Sequence, residues 1–148
     1  MRSRVVPRYV LGPAILAAAV LLAAAPASAG VRKGDRVSDF VQVVDGGGKR
    51  VSLKKLRDRV VVVTFGASWC EPCKKELPAL EKLARHYAKA GAKVSFFAVN
   101  IDNQKAKGAR FMKQAGLRVV NAVFDPQKST VESFDPPKMP TTFIIRGG

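Results

Sequence analysis

The chain has 148 residues, a one-domain length, with 26 Lys and Arg against 11 Asp and Glu and a formal net charge of +15. Two cysteines and one histidine are too few ligands for a structural zinc site, which takes about four. The basic residues are scattered rather than gathered into a stripe interleaved with aromatics. The charge therefore permits attraction to anionic lipid or acidic partners but does not mark a nucleic-acid interface.

The N-terminus reads as a targeting segment. Arg2, Arg4 and Arg8 form a charged region, Val10 to Ala25 an apolar one, and Ala27-Ser28-Ala29 a small-residue cleavage site. A transmembrane anchor is the competing reading. The apolar stretch is shorter than ~20 residues, is interrupted by Gly12 and Pro13, and ends at Pro26, which favours cleavage. Residues 1–29 are thus expected to be a signal peptide and residues 30–148 the domain. That places the protein in the periplasm or on the extracytoplasmic face of the membrane, with membrane association only if the leader is retained. Disulfides persist in such compartments, so a dithiol that must stay reduced there needs an electron source.

After a polar lead-in over Gly30 to Ser38, two short β-branched or apolar runs, Phe40–Val44 and Arg50–Leu53, flank Asp45-Gly46-Gly47-Gly48. This predicts a β-hairpin. Lys54 to Asp58 makes a turn or a single helical turn. Val60-Val61-Val62-Val63-Thr64-Phe65 has the length and composition of a buried strand. A helix follows Cys70 and runs to about Lys89, stopped by Gly91, with Pro78 expected to kink it. Lys93 to Val99 reads as a second buried strand, Asn100 to Asn103 as a turn, and Gln104 to Ala115 as a helix stopped by Gly116. Ala122–Phe124 is a short strand or an extended link. A short helix over Gln127–Phe134 and a strand over Thr142–Ile145 complete the pattern.

Both cysteines lie in Trp69-Cys70-Glu71-Pro72-Cys73, where the first buried strand hands over to the helix. A helix N-terminus offers unpaired backbone N–H groups and the positive end of the macrodipole, so it favours a thiolate. Cys70, at or near the N-cap, is assigned as the attacking thiol, and Lys74 and Lys75 add positive charge. Such sites bring a thiol from ~8.5 down to roughly 3.5–7.5. Cys73 is in phase with Leu77, Leu80, Ala84 and Tyr87 on the inward helix face, so it is the less exposed, resolving thiol. Pro72 suits the first turn, where its missing N–H has no helical partner. A structural disulfide is the alternative, but so small a loop removes little chain entropy. Covalent haem attachment needs His after the second cysteine, and Lys74 stands there. His86 reads as a solvated or half-buried helix residue.

Trp69-Cys70-Glu71-Pro72-Cys73-Lys74-Lys75-Glu76, Pro78 and Met139-Pro140-Thr141-Thr142-Phe143 together resemble the thioredoxin superfamily, and most of all its exported TlpA/ResA branch. The likeness runs from about Gly34 to Ile145. It implies an α/β, three-layer α/β/α thioredoxin-like fold with an added N-terminal β-hairpin. It makes Cys70 the exposed nucleophile and Cys73 the resolving thiol of a redox-active disulfide, with Trp69 bordering the site. It makes Pro140 a cis-proline facing the disulfide, with Met139 offering backbone to an extended substrate. Glu76 matches an acidic residue that influences thiol protonation; from the residues alone it is a solvated glutamate. Thr64 stands where thioredoxin has a buried aspartate, so that proton-transfer role is absent or moves to Glu76. Thioredoxin domains continue with another strand and a final helix, and the chain stops at Gly148. The fold is therefore expected to be truncated at its C-terminus, with Thr142–Ile145 as an exposed sheet edge and one face short of helical cover, leaving a large apolar patch.

The resemblance implies an exported thiol:disulfide oxidoreductase, with no cofactor and no metal. It would reduce disulfides of client proteins such as apocytochrome c during cytochrome c maturation, and be re-reduced by a membrane electron donor of the DsbD/CcdA type. Oxidation, the reverse direction, stays open. The alternatives are a dithiol module that handles metal or services a copper chaperone, and an inactive truncated product. Peroxiredoxins carry Thr or Ser three residues before the reactive cysteine, and here that position is Ala67.

Overall fold

The computed structural model of the chain describes residues 30–40 and 43–147. The expected leader, and residues 41 and 42 of the first expected strand, lie outside them. The β-branched run forms β2 (Val60–Gly66), after β1 (Val44–Asp45) and a 3-10 turn (Leu53–Leu56). Then come α1 (Glu71–Lys89), β3 (Val94–Asn100), α2 (Lys105–Gln114), β4 (Asn121–Phe124), α3 (Ser129–Phe134) and β5 (Thr141–Arg146). The strands form one sheet in the order β1-β4-β3-β2-β5. β2, β3 and β4 run parallel through the α1 and α2 crossovers, while β5 returns antiparallel to β2 and β1 lies antiparallel to β4. Gly91 and Gly116 follow the two long helices with φ of +65° and +71°, the left-handed region that stops a helix at little cost for glycine.

The sheet is buried on both faces, which is why its central strands lack polar alternation. β2 sends Val61, Val63 and Phe65 to one face, where they meet Phe40, Val43, Leu53, Val131 and Phe134. Val62 points to the other face, against Leu77, Leu80 and Ala84 of α1 and Phe111 and Met112 of α2. The layers are thus α1 and α2, the sheet, and α3 with the N-terminal segment. Phe134 anchors the third layer, fully buried with its ring 5.3 Å from that of Phe65. Burying a side chain of this size contributes about 1.5–3 kcal/mol. This is the α/β thioredoxin-like arrangement expected from the sequence.

Four local expectations need correction. The Gly-rich turn forms, with Gly48 N–H donating to the Asp45 carbonyl at 3.0 Å. Among the described residues the arms are joined by the Asp45 N–H to Lys49 carbonyl bond at 2.9 Å, the Val44–Arg50 bridge and the Val51 N–H to Val43 carbonyl bond at 2.9 Å, but the second arm stops short of Leu53. Asp39 diverts the second arm: its carboxylate accepts the Ser52 hydroxyl at 2.6 Å and the Leu53 N–H, starting the 3-10 turn. Meanwhile β1 pairs with β4. Asn100, expected in a turn, ends β3 instead. Tyr87, in the last turn of α1, is 40 % exposed, although its ring centroid still lies 6.0 Å from that of Phe96 on β3. At β5, which is a sheet edge among the described residues, Ile144 lies opposite Val62 and is 75 % exposed. Thr142 and Arg146 flank it on the same face, so the exposed apolar surface there is one side chain rather than a large patch. Among the described residues, no helix is long and apolar enough to cross a membrane.

Candidate functional site

Cys70 is the N-cap of α1, with extended backbone at φ −87° and ψ 99°. Its N–H closes a turn onto the Ala67 carbonyl at 3.0 Å, and Cys73 N–H returns to the Cys70 carbonyl at 3.1 Å. Glu71 and Pro72 occupy the first helical positions, where proline loses no helical hydrogen bond. The two cysteines are joined as a disulfide, with Cα atoms 5.3 Å apart. Cys73 packs into the α1-side core and is 1 % exposed; Cys70 is 5 % exposed. The order of exposure is as expected, but Cys70 is not openly exposed. Met139 packs against the cluster that holds it, and Trp69 carries the exposure instead, at 66 %. Gly66 lets Cys73 approach the end of β2: a Cβ there would stand 3.2 Å from Cys73 Sγ.

A groove of about 420 Å³ opens at Cys70, lined by Trp69, Glu71, Pro72, Pro136, Lys138 and Met139. The Met139–Pro140 peptide is cis, and Met139 packs against the core cluster that holds both cysteines. Trp69, Cys70, Cys73, Pro72, Met139 and Pro140, predicted from positions 70 residues apart in the chain, are thus collected at one end of the sheet. Lys74 is different. Its ammonium lies 2.6 Å from the Glu71 carboxylate, so its charge is shared with that acid rather than directed at the thiols. The Lys74 hydrogen bond and charge hold the Glu71 carboxyl below its ordinary value.

Glu76, one turn beyond Cys73, ties α1 to two strands. Its Oε1 accepts the Thr64 hydroxyl of β2 at 2.8 Å and the Thr142 hydroxyl of β5 at 2.9 Å, and the two hydroxyls are 3.1 Å apart. Glu76 is therefore a half-buried linking carboxylate, not a freely solvated one. Sequence reasoning passed over Thr142, which it quoted only as part of a motif. It also passed over Ser68 and Asp102, which meet behind the turn leading to Cys70. His86 stacks edge-on against Tyr87 on the outer part of α1, away from the thiols. Among the described residues, no group of three or more metal-ligating side chains forms.

The redoxin family pattern matches residues 32–146. The chain is 34 % identical to the thiol-disulfide oxidoreductase ResA of Bacillus subtilis over 115 residues, 78 % of this chain and 62 % of the relative. It thus spans somewhat under two thirds of that protein's length. Among solved structures, it is similar to a Chlorobium tepidum protein assigned as a thiol:disulfide interchange protein DsbE. There the identity is 30 % and the TM-score 0.69, over 78 % of this chain and 79 % of the other. The thioredoxin domain of a thiol-disulfide oxidoreductase from Bacteroides vulgatus shares the fold at 20 % identity, with a TM-score of 0.70 over 80 % and 84 % of the two chains.

Proposed function

The chain belongs to the redoxin family of the thioredoxin superfamily, on its ResA-like side, and from that premise we propose that it is an extracytoplasmic thiol–disulfide oxidoreductase that reduces client proteins. The observation that carries this reading is the placement of Cys70 at the N-cap of a 19-residue helix, with Cys73 one turn on and a groove opening at Cys70. The helix's first N–H groups stabilise a Cys70 thiolate. That thiolate attacks one sulfur of a client disulfide; the client S–S bond breaks, and the other client sulfur leaves as a thiolate and takes a proton. Cys73, deprotonated in turn, attacks Cys70 Sγ and releases the second client thiolate. Two electrons pass to the client, and Cys70 and Cys73 end bonded as in this structure.

Glu76 is the proposed acceptor for the Cys73 proton, since Thr64 and Thr142 hold its carboxylate one helical turn away. Trp69 and Met139 wall the groove with apolar surface, and the Met139 backbone is the proposed contact for an extended client segment. Apocytochrome c is the first-choice client, since its two haem-attachment thiols form a disulfide when oxidised; a copper chaperone is the second. Export, supported by the leader pattern over residues 1–29, calls for a membrane electron donor of the DsbD/CcdA type to regenerate the dithiol. The test is equilibration of the purified chain with glutathione or dithiothreitol buffers, alongside insulin reduction. A reductant lies towards the thioredoxin end, about −270 mV, whereas a value near −120 mV overturns the assigned direction. Stoichiometric metal on the reduced protein, with no insulin reduction, would replace the reading by metal handling.

A further inference from the structure

Asn100, Asp102 and Ser68 form a polar cluster that the exchange steps above do not use. Asp102 is 4 % exposed, two residues beyond the end of β3. Its Oδ2 accepts the Ser68 N–H at 2.9 Å and the Asn100 side-chain amide at 2.7 Å, and its Oδ1 accepts the Ser68 hydroxyl at 2.8 Å. Ser68 is the second residue of the turn from Ala67 to Cys70, which carries Trp69 and delivers Cys70 to the N-cap of α1. The clamp is itself fixed. Asp102 N–H donates to Asn100 Oδ1 at 3.1 Å, and Ile101 N–H donates to the Gly66 carbonyl at 3.1 Å. From the far side, α2 presses close: a Cβ at Gly108 would fall 2.0 Å from Asn100 Oδ1. Glycine at that position is what lets Asn100 reach Asp102.

We propose that Asp102 is a positioning residue for thiol exchange: by anchoring Ser68 it holds the Ala67–Cys70 turn and keeps Cys70 at the amide end of α1. The inference rests on the reading of Cys70 as the attacking thiol. A buried carboxylate with three donors is a stiff anchor, because releasing any one of them leaves a polar group without a partner. Without it, Ser68 loses both of its bonds to Asp102, and the turn is left with its own Cys70 to Ala67 bond and the Cys73 N–H on the Cys70 carbonyl. A turn that wanders carries Cys70 away from the helix N–H groups and raises its thiol towards the value of a free cysteine.

Two substitutions separate hydrogen bonding from charge. Asp102→Asn can keep every contact. Its amide oxygen replaces Oδ2 and accepts the same two N–H groups, and its NH₂ replaces Oδ1 and donates to the Ser68 hydroxyl. Asp102→Ala keeps none. Both lack the carboxylate charge, so its direct effect on Cys70 cancels between them, and Glu71, Lys74, Glu76 and Lys138 around the site are the same in both. The reduced full-length variants are alkylated with iodoacetamide across pH, with Cys70 followed by peptide mapping. The anisotropy of Trp69, the single tryptophan, is read in parallel. At a pH below both midpoints, Asp102→Ala is expected to hold about threefold less Cys70 thiolate than Asp102→Asn, and to show lower Trp69 anisotropy.

Equal midpoints and equal anisotropy in the two variants overturn the proposal, whatever either does to the melting temperature. If Asp102→Ala does not fold, Ser68→Ala against the parent chain reads the same quantity with one contact removed; a raised midpoint supports the clamp and an unchanged one overturns it. Neither readout needs a client. Failure of the parent chain to exchange disulfides would therefore sink the functional reading while leaving the clamp measurable.

Discussion

Replacing Glu81 by alanine should remove a large share of this domain's stability while leaving the thiols untouched. Glu81 sits on the inner side of α1 and is 5 % exposed. Its carboxylate accepts the Val119 N–H at 3.0 Å, the Val120 N–H at 3.0 Å and the Arg85 side chain at 2.8 Å. Burial pushes the carboxyl up, but the amide hydrogen bonds from Val120, Arg118 and Val119, together with that from Arg85, outweigh it and leave the pKa lowered. The Arg85 partner is half exposed and adds only ~0.5 kcal/mol. The amides matter more, since leaving a buried N–H without a partner costs about 1–3 kcal/mol. The expected loss for Glu81→Ala is therefore about 3 kcal/mol at pH 7, or roughly 10 °C in melting temperature for a domain of this size. Glu81→Gln retains an acceptor and should lose about half as much. The sign with pH follows from the lowered pKa. The part of the contribution that belongs to the carboxylate charge is fully present above the ordinary glutamate value of 4.5 and is lost as pH falls through the folded value. Urea unfolding at pH 7 and at acid pH measures both. A loss under about 1 kcal/mol at pH 7, or a gap between parent and variant that does not narrow in acid, refutes the reasoning.

Cys73→Ser should stop the exchange halfway, leaving Cys70 disulfide-bonded to a client; a non-reducing gel that shows only monomer after incubation with an oxidised client peptide contradicts the assigned order of attack. Thr142→Val removes one of the two hydroxyls on Glu76 and should slow insulin reduction several-fold with little change in stability; an unchanged rate detaches Glu76 from proton transfer. Gly108→Ala should destabilise by about 1–3 kcal/mol despite alanine's better helix propensity, because the new methyl meets Asn100; a raised melting temperature would show that α2 can shift away.

The sequence made the redox pair legible because its signals are local. A β-branched run, a cysteine spacing and a helix period lie within 30 consecutive positions, Val60 to Lys89, and the helix begins where the spacing puts it. The Met139–Pro140 element is far away in the chain, and only its resemblance to a family joined it to the thiols. What stayed hidden are polar residues whose roles depend on a partner met only in three dimensions. Ser68 and Asp102 are 34 residues apart, and Glu81 and Val120 are 39 apart. No periodicity links such pairs. One clue was present: a glycine inside a helix, as at Gly108, costs stability and implies close packing, and here it marks the contact with Asn100. For a related reason the hairpin has a shorter second arm than expected. Its turn residues are decisive locally, but Asp39, outside both arms, captures the second one.

The burial of Cys73 in the apolar cluster between α1, α2 and the sheet joins oxidation state to folding through a closed cycle. Folding the oxidised chain and then reducing it must give the same total as reducing the unfolded chain and then folding it. Whatever the sulfur–sulfur bond adds to resistance against denaturant is therefore the amount by which the folded chain holds its electrons less readily than the unfolded one. Each 1.4 kcal/mol of such resistance equals about 30 mV for a two-electron couple. Two unfolding curves, one for each redox form, consequently measure how far the fold itself biases this dithiol towards giving its electrons away.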